Sequence, residues 1–197
     1  VAPGCARATI PPMSFLEKTL RAVALTGIFA LPFIVFYVAS SLFFPFITGK
    51  NFAFRIIVEV TAGAWLARAL VYPRYRPRRS WMLGAFALFV IVMAIADAQG
   101  ANPFKSFWSN YERMDGWVTL AHLFMLVVVA VSMLNTEKLW KAFWQTELVM
   151  SLAIAAYGFL QLFGIVSLTA GFSSVSRLDA TFGNPIYLAV YMLFNAF

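Results

Sequence analysis

The residues in this chain best suited to chemistry are a few cations set among apolar runs. Arg55 and Glu59 lie four residues apart, one helical turn on the same face, within the stretch Phe52–Val71, and Lys50 comes shortly before them. An ion in hydrocarbon costs roughly 2.5–3.5 kcal/mol on insertion scales, so both members of the pair are expected to face a bundle interior or a wet cavity. Two readings stay open: a mutually neutralised structural pair, or Glu59 orienting Arg55 toward an anionic ligand with Lys50 as a further cation. A second cluster, Asn102 to Gly116, interleaves Trp108 and Tyr111 with Glu112, Arg113 and Asp115. Aromatic faces suit sugar stacking and arginine grips phosphate bidentately; the alternative is an interfacial amphipathic segment. Glu112 and Asp115 are spaced to serve as a base or a metal ligand. Two carboxylates beside an arginine make a poor metal set, however, and neither a metal nor another cofactor is expected.

A third cluster begins at Arg177 and runs through Gly183-Asn184-Pro185 into an apolar stretch. Proline fits the first helical position there, leaving backbone N–H groups directed outward beside Arg177; this is either an anion site or an ordinary loop and cap. His122, the single histidine, fits a helix–helix hydrogen-bonding partner better than a catalyst. Arg68 is expected to snorkel to the surface, and Asp97, Glu147 and Gln161 gain no role from their spacing. The chain has no P-loop, dinucleotide glycine pattern, zinc-type Cys/His spacing or serine elbow.

The elements that position these residues are dictated by composition. Hydrophobic residues make up 62% of the 197, charged residues 12%, and the mean hydropathy is +0.80. A soluble domain carries about a quarter charged residues, so most of this surface does not face water. The apolar runs are too long for strands, which predicts an all-α, polytopic transmembrane helix bundle of about six spans. The expected spans are Val23–Phe46, kinked at Pro32; Phe52–Val71, after a tight turn Thr48-Gly49-Lys50-Asn51; Trp81–Ala98; Trp117–Leu134; Phe143–Leu168; and a last one opening near Ile186. The chain stops inside that last run, at Phe197, and is read as truncated there. Residues 1–12 are Pro/Ala-rich and are read as an over-extended leader before Met13, leaving 13–197 as the membrane domain.

The net charge of +7 does not indicate nucleic acid, because the basic residues cluster in short loops between apolar runs. Arg74, Arg76, Arg78, Arg79, Lys138 and Lys141 fall on the side of the N-terminus, and Lys50, Lys105, Arg113 and Arg177 on the other. The positive-inside rule therefore makes the N-terminus cytoplasmic. One cysteine, Cys5, excludes an intramolecular disulfide.

Three segments together resemble the O-antigen ligase family: Phe46-Ile47-Thr48-Gly49-Lys50-Asn51 with Phe54-Arg55 and Glu59; Ser106-Phe107-Trp108-Ser109-Asn110-Tyr111-Glu112-Arg113-Met114; and Ala180-Thr181-Phe182-Gly183-Asn184-Pro185-Ile186-Tyr187-Leu188-Ala189. The resemblance runs from Met13 to the end. It implies the N-terminal half of a multi-span bacterial inner-membrane glycosyltransferase, which moves glycan from an undecaprenyl-pyrophosphate carrier to a lipid A-core or growing glycan acceptor on the periplasmic face. It further implies that Arg55, Arg113 and Arg177, with Lys50 as a weaker candidate, hold the pyrophosphate and that no nucleotide sugar or metal is used; the lipid bilayer is a further expected partner. The family's catalytic histidine sits in a periplasmic loop of the C-terminal half, beyond Phe197. His122 does not replace it, and no turnover is expected from these residues alone. The competing readings are a flippase for a polyprenyl-linked glycan and a non-catalytic membrane subunit.

Overall fold

A computed structural model describes residues 14–111, 113–166 and 178–197. Among them are seven α-helices, α1 (Phe15–Ala30), α2 (Thr48–Val71), α3 (Trp81–Ala98), α4 (Pro103–Trp108), α5 (Trp117–Met133), α6 (Glu137–Leu162) and α7 (Pro185–Ala196), with 3-10 turns at Leu31–Phe36 and Pro73–Tyr75 and no strand. The all-α expectation holds. Of the expected spans, three are helical stretches long and apolar enough to cross a membrane: Phe15–Phe36, Trp81–Ala98 and Glu137–Leu162. Helices α5 and α7 are apolar but shorter, and α2 is long enough but carries Lys50, Arg55, Glu59 and Arg68 along its length. The outward faces are apolar: α3 buries only Val90 and leaves Leu88, Phe89, Ile91, Val92 and Ile95 exposed. That surface is compatible with a membrane protein.

Local chemistry moved several boundaries. The first helix starts eight residues before the expected Val23, because the Ser14 hydroxyl accepts the Glu17 backbone N–H at 3.2 Å and caps it. It does not continue to Phe46. Pro32 has no N–H to offer the helical ladder, and the chain tightens into the 3-10 turn and leaves helical geometry at Tyr37. The expected tight turn Thr48–Asn51 is instead the first turn of α2. Gly49 permits this, since a Cβ there would lie 2.6 Å from the Ala39 Cβ. Helix α6 begins at Glu137 rather than Phe143, capped by the Thr136 hydroxyl and supported by a Glu137–Lys141 pair at 2.8 Å.

Contacts between distant residues fix the helix directions: α1 runs antiparallel to α2, and α5 runs parallel to α2. At one end, Glu17 of α1 meets Arg68 near the end of α2, which reaches Met133 at the end of α5. At the other, Lys50 and Thr48 at the start of α2 meet Thr181 before α7 and Tyr111 before α5. The core between them is built from small and branched residues, with Ala24 and Ile28 of α1, Ala62 and Ala64 of α2, and Val129 and Met133 of α5 fully or almost fully buried. Small side chains let the α1 and α2 backbones approach, as membrane helix pairs require.

Arg68 does not snorkel. It is 1% exposed, with Glu17 at 3.9 Å, the Met133 sulfur at 3.4 Å and its guanidinium carbon 3.7 Å from the Tyr75 ring centre. Glu17, itself 3% exposed, also binds Arg74 at 2.5 Å and accepts from the Tyr75 hydroxyl. The turn at Pro73–Tyr75 thus folds back onto the helix ends, and Trp65 donates to the Tyr75 carbonyl at 3.1 Å. Removing one partner of a buried ion cluster strands the other. Glu17→Ala is therefore expected to lower the thermal midpoint of the detergent-solubilised protein by several degrees. Adding Arg68→Met should recover most of that loss, read as a double-mutant cycle.

Candidate anion-binding site

Lys50 lies in the first turn of α2, before the stretch Phe52–Val71, and its side chain is half-buried. Its ammonium donates to the Phe46 carbonyl at 3.2 Å and to the Thr181 carbonyl, and lies 5.2 Å from the Phe182 ring centre. These partners are neutral; among the described residues no carboxylate pairs with it. Lys50 shares a cavity of about 340 Å³ with Arg113, Asn51, Asp115, Phe182 and Tyr187. The Arg113 side chain is exposed, while its backbone is pinned on both sides: its carbonyl accepts from the Asn51 amide at 2.7 Å, and its N–H donates to Asn110 at 2.9 Å. Among the described residues Asp115 is the one carboxylate lining the cavity, and its oxygen accepts from the Ser109 hydroxyl. The described lining therefore carries an excess of one positive charge.

Arg55 occupies a different position from the one expected. One of its terminal nitrogens donates to the Met114 carbonyl and to the Thr119 hydroxyl, each at 2.7 Å, and it does not line the cavity. It braces the turn that presents Arg113, where Met114 adopts a left-handed φ of 52°. Glu59 does not orient Arg55. It pairs with His122, whose Nε2 is 3.1 Å from a Glu59 oxygen, while Nδ1 lies 2.7 Å from the Val118 carbonyl. A carbonyl only accepts, so Nδ1 carries its hydrogen. His122 is thus a helix–helix partner joining α2 to α5.

The remaining expected residues divide further. Trp108 and Tyr111 are half exposed and lie outside the cavity, with the Tyr111 ring 6.5 Å from Phe52. Asn184 accepts the Ile186 N–H at 2.9 Å and caps α7, with Pro185 in the first turn as expected. Gly183, at φ 67°, turns the chain directly against the Phe46 ring, where any Cβ would collide. Arg177 and Glu112 lie outside the described residues.

Sequence reasoning missed what holds the third segment. Gln161 donates to Asp179 at 2.7 Å and accepts the Ala180 N–H at 2.9 Å, and the Thr181 hydroxyl donates to the Val35 carbonyl. This clamp brings Thr181 and Phe182 to Lys50. Phe182 and Tyr187 were visible in the sequence, but the pattern alone did not assign them to the cavity. Glu147 accepts the Tyr191 hydroxyl at 3.2 Å, tying α6 to α7. Among the described residues no group of three or more metal-ligating side chains comes together. The chain matches no protein-family model, and no curated protein or solved structure matches it.

Desolvation brings the Lys50 ammonium down from the usual lysine range to about 8. Below that value it is charged and attracts an anion; above it, the amine is neutral and the attraction is lost. By calorimetry, affinity for inorganic pyrophosphate is expected to fall as the pH rises through about 8. In Lys50→Arg, whose guanidinium stays charged, the fall should be much shallower.

Proposed function

We propose that this chain is part of a multi-pass bacterial inner-membrane glycosyltransferase of O-antigen ligase type, and that the Lys50–Arg113 cavity holds the diphosphate of an undecaprenyl-linked glycan at the periplasmic face. One observation carries the reading: a half-buried lysine ammonium whose hydrogen-bond partners among the described residues are carbonyls opens into the same cavity as Arg113. Such an ammonium gains from an incoming anion, since the energetic penalty of its desolvation is already present in the empty cavity. A diphosphate bound there meets one flexible point charge and one planar, bidentate donor.

The surroundings fit the rest of such a donor. Phe46, Phe182 and Tyr187 line the cavity and offer aromatic walls to a prenyl chain or a sugar face. The resemblance of the three segments to the O-antigen ligase family supports the reading, because the segments that carry it supply Lys50, Asn51, Arg113, Phe182 and Tyr187. Arg55 then acts as a positioning residue, holding the Met114–Thr119 turn rather than touching the donor. Charge stabilisation of this kind would assist departure of the diphosphate from the first sugar, with acceptor activation supplied elsewhere.

The test is ligand binding by the chain in nanodiscs, comparing undecaprenyl diphosphate with undecaprenol. The diphosphate is expected to bind preferentially. Lys50→Gln and Arg113→Gln should each weaken it about tenfold, the scale of one charge-assisted hydrogen bond. Lys105→Gln, in the same loop as Arg113 but outside the cavity, should leave binding unchanged. Equal binding of the alcohol, or an equal loss in the Lys105 variant, would refute the site.

A further inference from the structure

A cavity of about 670 Å³ opens at the opposite end of the helices, beside the Glu17–Arg68 cluster. Its lining changes character along its length. Arg76 and Arg78, in the loop before α3, stand at one end; Leu83 and Phe86 of α3 face Val127 and Val131 of α5 along the rest. Val127 lies six residues before the end of α5, so the apolar groove reaches about 9 Å along the helices.

The charges at this end are unequally satisfied. Arg74, also in the lining, is bound to Glu17 at 2.5 Å. Arg76 is fixed through Nε, which donates to the Ala69 carbonyl at 3.0 Å, leaving the end of its guanidinium for another partner. Among the described residues neither Arg76 nor Arg78 has a carboxylate within ion-pair distance. Glu137, the one acid in the lining, is taken by Lys141 at 2.8 Å. Trp81, almost fully exposed at the start of α3, marks this level as one suited to a membrane–water interface.

We propose that this cavity binds one anionic phospholipid, with its phosphate between Arg76 and Arg78 and its acyl chains along the α3–α5 groove. The inference rests on the reading that these helices lie in a bilayer. A free phosphate would use the arginines and leave the groove empty, and a zwitterionic lipid brings a choline cation against two unpaired guanidinium groups. An anionic diacyl lipid satisfies both ends, and basic pockets between membrane helices recognise such headgroups.

Native mass spectrometry of the full chain, released from detergent with equal amounts of dioleoyl-phosphatidylglycerol and dioleoyl-phosphatidylcholine, tests this. The glycerol lipid is expected to be retained preferentially, and Arg76→Gln/Arg78→Gln to lower its occupancy about tenfold. Arg79→Gln removes the same kind of charge from the same loop outside the cavity and should change nothing. Equal retention of the two lipids, an equal loss in the Arg79 variant, or displacement of the lipid by inorganic phosphate would overturn the site. Should the double variant fail to fold, a phosphatidylglycerol with a photoreactive acyl chain is applied to the unmodified protein. Crosslinks at the start of α3 or the end of α5 support the proposal, and crosslinks confined elsewhere overturn it. Failure of the bilayer reading is distinct: alkaline carbonate would then release the chain from membranes.

Discussion

An ion that leaves water must find a partner inside the protein, and that constraint shapes both ends of this bundle. Arg68 is buried within a helix pair packed through Ala24, Ile28, Ala62 and Ala64, where nothing nearby in sequence can neutralise it. Glu17 reaches it from α1, and the loop after α2 closes over both, laying the Tyr75 ring under the guanidinium and adding Arg74 to the carboxylate. Two cations around one carboxylate form a cluster that locks α1, α2 and the following turn together.

The other end meets the same constraint with a different outcome. Arg55 is held through one terminal nitrogen by a carbonyl and a hydroxyl of the turn before and within α5, so its charge serves to brace that turn. Lys50 has carbonyl partners from two segments far apart in sequence and no carboxylate among the described residues. The contrast separates structural cations from one suited to a ligand. The strained backbone follows the same division: among the described residues the non-glycine ones with left-handed φ, Ser109, Met114 and Ala180, all lie in the segments around the Lys50 end.

Much of the helical order was legible. Helix α3 matches its expected bounds because the eighteen residues between Ser80 and Gln99 carry one charge alone, Asp97, in the last turn. The start of α7 was announced by Gly183-Asn184-Pro185, whereas Pro32, expected only to kink the first span, marks where its α-helix ends. The early starts of α1 and α6 had signals that apolar counting overlooked: Ser14 three residues before Glu17, and Thr136 before Glu137 with Lys141 one turn on. The pairings were not legible. Arg55 and Glu59 share a helical face, yet each finds a partner on α5 or the turn before it, because tertiary contact overrides spacing within one helix. Nothing local ties Arg68 to Glu17, or Lys50 to Thr181 across 131 residues. Such contacts are set by which helices pack, and a single sequence does not state that.

The central claim is that the two charged ends lie on opposite faces of a membrane, with the Lys50–Arg113 cavity outside. It is tested most directly by labelling single cysteines with a membrane-impermeant maleimide in spheroplasts, on a Cys5→Ser background. Asp115→Cys, beside the cavity, is expected to react in intact spheroplasts, and Arg79→Cys, in the loop before α3, only after permeabilisation. Reaction of both from the same side, or of position 79 alone from outside, would contradict it.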